Sequence, residues 1–64
     1  MNGQLRREKI IDILSRSDTP VSGVALANQF NVSRQVIVQD IALIRAASYD
    51  VYSTNRGYVI RGNK

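Results

Sequence analysis

Apolar residues near the start of the chain recur at helical rather than strand spacing. Within Gln4 to Ser17, Ile10 precedes Ile13 by three positions and Leu14 by four, with Leu5 and Ile11 close by and charged residues between. Side chains three and four apart share one helical face, so this stretch predicts a first helix over about 4–17. Asn2 stands where a cap belongs. Ser17-Asp18-Thr19-Pro20 should end the helix, because a residue before proline avoids helical backbone angles. Pro20-Val21 leaves room for no more than a two-residue edge strand.

A second helix, about 22–30, opens at Ser22 and carries Leu26, Ala27 and Phe30 as a buried stripe. Ala25 stands where a glutamate would complete a capping box, so only half of that box is present. Asn31 suits a left-handed position, Val32 fills the corner, and Ser33 caps a third helix over about 33–47. About three residues separate the two helices, as a helix-turn-helix requires. In the third helix Ile37, Ile41 and Ile44 form an inward stripe that Ala47 is expected to end. Arg34, Gln35, Val38 and Gln39 lie opposite, with no acid among them. Asp40 borders the stripe, where pairing with a base of the first helix is expected. Two alternating stretches follow, Tyr49 to Ser53 and Tyr58 to Arg61, around Thr54-Asn55-Arg56-Gly57, in which Gly57 is free to take a positive φ. They predict a hairpin over about 49–61, with Tyr49, Val51, Tyr58 and Ile60 inward and Tyr52, Val59 and Arg61 outward. Gly62-Asn63-Lys64 reads as a flexible end.

These elements define the expected fold class: α+β, mainly α, one domain over residues 1–64. Three helices are followed by a C-terminal two-stranded β-hairpin, a winged helix-turn-helix. Ile10, Leu14, Leu26, Phe30, Ile37, Ile41, Ile44, Val51, Tyr58 and Ile60 should form one core. Composition narrows the chemistry. With no cysteine and no histidine, the usual thiolate, imidazole and zinc chemistries are excluded. The carboxylates are scattered, with only Glu8 and Asp12 close together, so neither an enzyme nor a cofactor or metal site is expected in this chain. Nine Lys and Arg against five Asp and Glu give a net +4, and seven of the nine are arginine, the better residue for bidentate contact with phosphate and guanine. That balance implies an anionic partner or, equally, simple solubility. No apolar run or signal peptide suggests a membrane, so a cytoplasmic location is expected.

A third helix followed by a hairpin has a functional geometry, because its first turns fit the major groove of double-stranded DNA while the wing reaches the flank. The candidate DNA-binding residues are Ser22, Ser33, Arg34, Gln35, Val36, Val38, Gln39 and Arg56. Gln35 and Gln39 suit adenine edges, Arg34 guanine or phosphate, and Val36 and Val38 a thymine methyl. Ser22 and Ser33 are caps whether or not they touch DNA, and the helix starts they close offer backbone N–H groups to an anion. Arg56 is the only charge at the hairpin tip and suits phosphate. Tyr52 and Leu43 are candidate surfaces for a second domain or subunit, or plain exposed residues.

The run Ser33-Arg34-Gln35-Val36-Ile37-Val38-Gln39-Asp40-Ile41-Ala42-Leu43-Ile44-Arg45-Ala46-Ala47 resembles the recognition-helix segment of the niacin-responsive repressors of NAD biosynthesis. Pro20 to Gly23 and Thr54 to Tyr58 resemble the same family, and the likeness covers nearly all of residues 6 to 61. More broadly, the chain is similar to the DNA-binding domain at the front of the biotin repressor. The resemblance implies sequence-specific regulation of niacin and NAD genes, homodimers of the full-length protein, and a second domain that takes nicotinic acid and a divalent metal through histidines. This chain would then be the DNA-binding half or a small stand-alone relative. Val24 and Ala25 replace acidic residues common at the second helix start. Ser48 stands where the family usually has glycine or asparagine, which predicts a different end to the third helix. Two other readings stay open: a winged helix used only for protein interaction, and a biotin-repressor-like domain of a larger protein.

Overall fold

A computed structural model describes residues 2–61. Three helices precede a hairpin: α1 (Gly3–Arg16), α2 (Gly23–Phe30), α3 (Arg34–Ala46), β1 (Val51–Thr54) and β2 (Gly57–Ile60). This is a winged helix-turn-helix. Each helix begins on the side chain that the sequence offers as a cap. Asn2 accepts the Leu5 amide at 2.8 Å, Ser22 the Ala25 amide at 3.0 Å, and Ser33 the Val36 amide at 3.3 Å. Asn31 ends α2 in the left-handed region at φ 55°, ψ 46°, so that Asn31, Val32 and Ser33 alone turn the chain into α3.

Ile10 and Leu14 of α1, Leu26 and Ala27 of α2, and Ile37, Ile41 and Ile44 of α3 are buried together with Val51 of β1. Phe30, Tyr58 and Ile60 pack against this cluster but are only half-buried, less enclosed than the pattern predicts. The strands run antiparallel, pairing Val51 with Ile60, Tyr52 with Val59, Ser53 with Tyr58 and Thr54 with Gly57. One further bridge joins Val21 to Tyr58, with the Tyr58 amide donating to the Val21 carbonyl at 2.8 Å and the Val21 amide donating back at 3.1 Å. That single-residue third strand fixes the wing against the start of α2.

Several orientations differ from expectation. Tyr49 points outward, 40% exposed. The Val51 amide donates to the Tyr49 carbonyl at 3.0 Å, a tight turn at Asp50 that interrupts strand alternation before β1 begins. Ala47 is also exposed, because the helix ends at Ala46 and Ala47 is its cap, at φ −88°, ψ 14°, where the chain has already left the helical course that would continue the stripe. Val59 is half-buried rather than exposed. Ser48 adopts φ 77°, and its amide donates to the Arg45 carbonyl at 2.9 Å. Serine thus takes, just past the end of α3, the left-handed role that glycine or asparagine would fill. The Gly62-Asn63-Lys64 stretch lies outside the described residues. No helix among the described residues is long and apolar enough to cross a membrane.

Candidate nucleic-acid interface

Helical geometry sorts the residues of α3 into three sides. Ile37, Ile41 and Ile44 face the core, and at about 100° per residue Gln35 and Gln39 fall almost opposite them. Both glutamines are exposed. Arg34 and Val38 flank them on one side, Arg34 exposed and Val38 37% exposed. Val36 falls about 100° round from Gln35, toward α1, and is half-buried. Measured from the midline of the two glutamines, Val38 and Val36 fall about 80° to either side and Arg34 about 120° away, toward α2. Gln35, Gln39 and Val38 therefore present together, with half-buried Val36 at one edge and Arg34 reaching in from the α2 side. Ser33 is exposed at the helix start, engaged as its cap.

The Val21–Tyr58 bridge draws the hairpin tip over the start of α2. The result is a groove of about 380 Å³ whose lining includes Ser22, Gly23, Val24, Arg34, Thr54 and Arg56. Residues more than thirty positions apart thus converge. Ser22 takes the Ala25 amide, while the Gly23 and Val24 amides, the first two of the helix, have no acceptor within it and leave a positive helix end at the groove. Gly23 is buried, and a Cβ there would meet the Arg34 side chain at 3.7 Å, so the arginine lies directly along the helix start. The wing tip is braced by Thr54, whose Oγ1 donates to the Gly57 carbonyl at 3.0 Å and accepts from the Arg56 amide at 3.1 Å and the Gly57 amide at 3.2 Å. Thr54 was not among the residues singled out from the sequence. A threonine at the first position of a turn is the signal that would have found it.

Most other arginines are engaged within the fold. Arg6 forks onto both oxygens of Asp40, one through Nε and the other through Nη2 at 3.1 Å, and Arg7 Nη1 adds a contact at 3.2 Å. The hydrogen bond to Asp40 raises the pKa of the Arg6 guanidinium above its already high ordinary value, so the charge is permanent. Arg16 pairs with Asp12 at 3.0 Å, Arg45 Nε donates to the Val51 carbonyl at 2.8 Å, and Arg61 lies 5.9 Å from the centre of the Tyr52 ring. Arg34 and Arg56 take part in none of the ion pairs among the described residues. Elsewhere, Leu43 and Tyr49 line a shallow groove with Ile11 between α1 and α3. Among the described residues no group of three His, Cys, Asp or Glu side chains could hold a metal ion.

A basic, acid-free helix face beside a wing marks the molecule as a winged helix-turn-helix of the kind that reads an extended anionic partner. The chain belongs to the helix-turn-helix (HTH) domain family, whose profile matches residues 6–59. It is similar to a probable transcription repressor NiaR of Thermotoga maritima, 54% identical over 61 residues that make up 95% of this chain and 35% of the relative. It is also similar to the transcription repressor NadR of Bacillus subtilis, 46% identical over 57 residues, 89% of this chain and 32% of that protein. The chain thus spans about a third of the length of the curated relatives it matches.

Proposed function

We propose that this chain binds double-stranded DNA sequence-specifically as a transcriptional regulator and catalyses no reaction. The observation that carries the reading is the joint exposure of Gln35 and Gln39 on the outer face of α3, beside a groove lined by Arg34 and Arg56, which have no ion-pair partner among the described residues. The first turns of α3 enter the major groove, where Gln35, Gln39 and Arg34 meet base edges and Val38 a thymine methyl. Val36 touches the edge of the same surface. Arg56 holds the flanking backbone, and Ser22 and Ser33 keep two helix starts aimed at phosphates. The names of the two relatives support repression as the regulatory outcome, and resemblance to the niacin-responsive family supports genes of niacin uptake and NAD synthesis as the targets. The working unit is a homodimer in the cytoplasm, reading two half-sites.

Fluorescence anisotropy of the 64-residue chain with duplexes selected from a random library tests the reading. With Arg34 and Arg56 as the cations aimed at the duplex, the log–log salt slope should lie near ~−2. Fusion to a dimeriser is expected to tighten binding sharply by linking two half-sites. No binding at low salt, or binding that ignores salt, would overturn the proposal in favour of a protein-interaction module.

A further inference from the structure

Asp40 is the one charged residue in the core of the described chain, 2% exposed and placed directly after Gln39. Both of its oxygens are occupied by α1, through the two-nitrogen fork of Arg6 and the single contact of Arg7. A buried carboxylate loses its hydration, and the ion pairs that replace it seldom outdo an apolar pair of the same size. Stability alone therefore gives little reason for a carboxylate here. Direction gives a better one. Hydrophobic contact is indifferent to angle, so the stripe of Ile37, Ile41 and Ile44 would tolerate a range of rotations of α3 about its axis. A planar guanidinium that engages two carboxylate oxygens tolerates very few.

We infer that the Asp40–Arg6–Arg7 cluster is a positioning device that sets the rotation at which α3 presents Gln35 and Gln39. This rests on the DNA-reading function proposed for that helix. With side chains the helix has a radius of about 5–6 Å, so a 10° rotation carries a glutamine tip by about 1 Å. A direct hydrogen bond to a base edge survives only within about half an ångström of its ideal length. Small rotations are thus enough to lose recognition while leaving the core intact. Backbone phosphates, approached by flexible arginines, are far more forgiving.

The test replaces the cluster's fork with apolar side chains in one variant, Arg6→Met with Asp40→Leu. It removes one charge of each sign, so net charge is kept, and it leaves Arg7, which is already partly exposed, free to turn to solvent. The variant is expected to fold and melt near the parent and to bind scrambled duplex with unchanged affinity and salt slope. Its preference for the selected duplex over the scrambled one should fall about tenfold. Residual dipolar couplings of the free chains should show α3 rotated relative to α1. Arg6→Lys, which keeps the charge but not the fork, should show a smaller fall. A folded double variant with the parent's preference and the parent's couplings would overturn the inference. The couplings need no DNA, so unrotated couplings overturn the positioning role even if the parent fails to bind DNA, an outcome that by itself counts against the proposed function. Should the double variant not fold, the same couplings and preference are read on Arg6→Lys, and parent values in both overturn the inference.

Discussion

Gly57 should be the least replaceable residue of the wing. It takes φ 145°, a region that L side chains rarely adopt, and a Cβ built on it would lie 2.4 Å from the Val21 carbonyl carbon, 2.5 Å from its oxygen and 2.6 Å from the Ser22 nitrogen. Those are backbone atoms, and they cannot step aside as a flexible side chain would. Gly57→Ala must therefore displace the wing from the start of α2 and break the paired hydrogen bonds between Val21 and Tyr58. Residual backbone strain contributes ~1–3 kcal/mol, and the two lost hydrogen bonds contribute ~0.5–1.5 kcal/mol each. The expected loss of ~2–6 kcal/mol is comparable with the ~3–10 kcal/mol that stabilises a chain of this size. In thermal unfolding followed by circular dichroism the midpoint should fall by at least ~10 °C. Gly3→Ala is the control, since its Cβ would meet only the far ends of the Arg7 and Arg6 side chains, at 3.0 and 3.5 Å, and should leave the midpoint almost unchanged. A Gly57→Ala protein melting within ~2 °C of the parent would refute the argument, because neither the strain nor the lost bridge could then be real.

Ser48→Gly should raise stability by ~0.5–1 kcal/mol in denaturant titration, since serine pays for φ 77° and glycine does not. Ile37→Ala, which empties a fully buried site between the helices, should cost ~2–5 kcal/mol by the same assay. Gln35→Ala or Gln39→Ala should cost ~1–3 kcal/mol on the selected duplex and little on scrambled DNA, read by anisotropy, with folding unchanged. Arg56→Ala should weaken both duplexes by a similar factor and reduce the salt slope by ~1; a loss confined to the selected duplex would make the wing a minor-groove reader instead.

The helices were legible because the code for them is local. A stripe repeating every three to four residues and a capping side chain occupy one short window, and Asn2, Ser22 and Ser33 each cap the helix they precede. Asn31 marked its left-handed turn for the same reason. The errors arose where a local rule was carried past its range. Alternation was extended back through Asp50 to Tyr49, although the tight turn there resets which way the next side chain faces. Phe30, Tyr58 and Ile60 have core chemistry, but a domain this small has little interior, and these three sit at its rim. The groove was the least legible feature. Ser22, Arg34 and Arg56 could each be singled out by type, yet what joins them is one backbone bridge between Val21 and Tyr58, and backbone pairing of an isolated residue leaves no pattern in side chains.

The arginines show what folding adds to a charge count. Seven of them in 64 residues form one undifferentiated basic signal, compatible with nucleic acid or with mere solubility. In the folded chain they separate by partner. Arg6 and Arg7 are tied to Asp40, Arg16 to Asp12, and Arg45 to a backbone carbonyl, while Arg61 lies over Tyr52. Arg34 and Arg56 are left at the two sides of one groove, against a helix start whose amides add to the same field. Net charge is thus a poor guide to how many phosphates such a domain neutralises, because an arginine held beside a carboxylate, as Arg6 and Arg7 are beside Asp40, has its field largely offset and its position fixed away from the groove. What sets the salt slope is the smaller number of cations that the fold holds apart from its own acids and aims at a common surface.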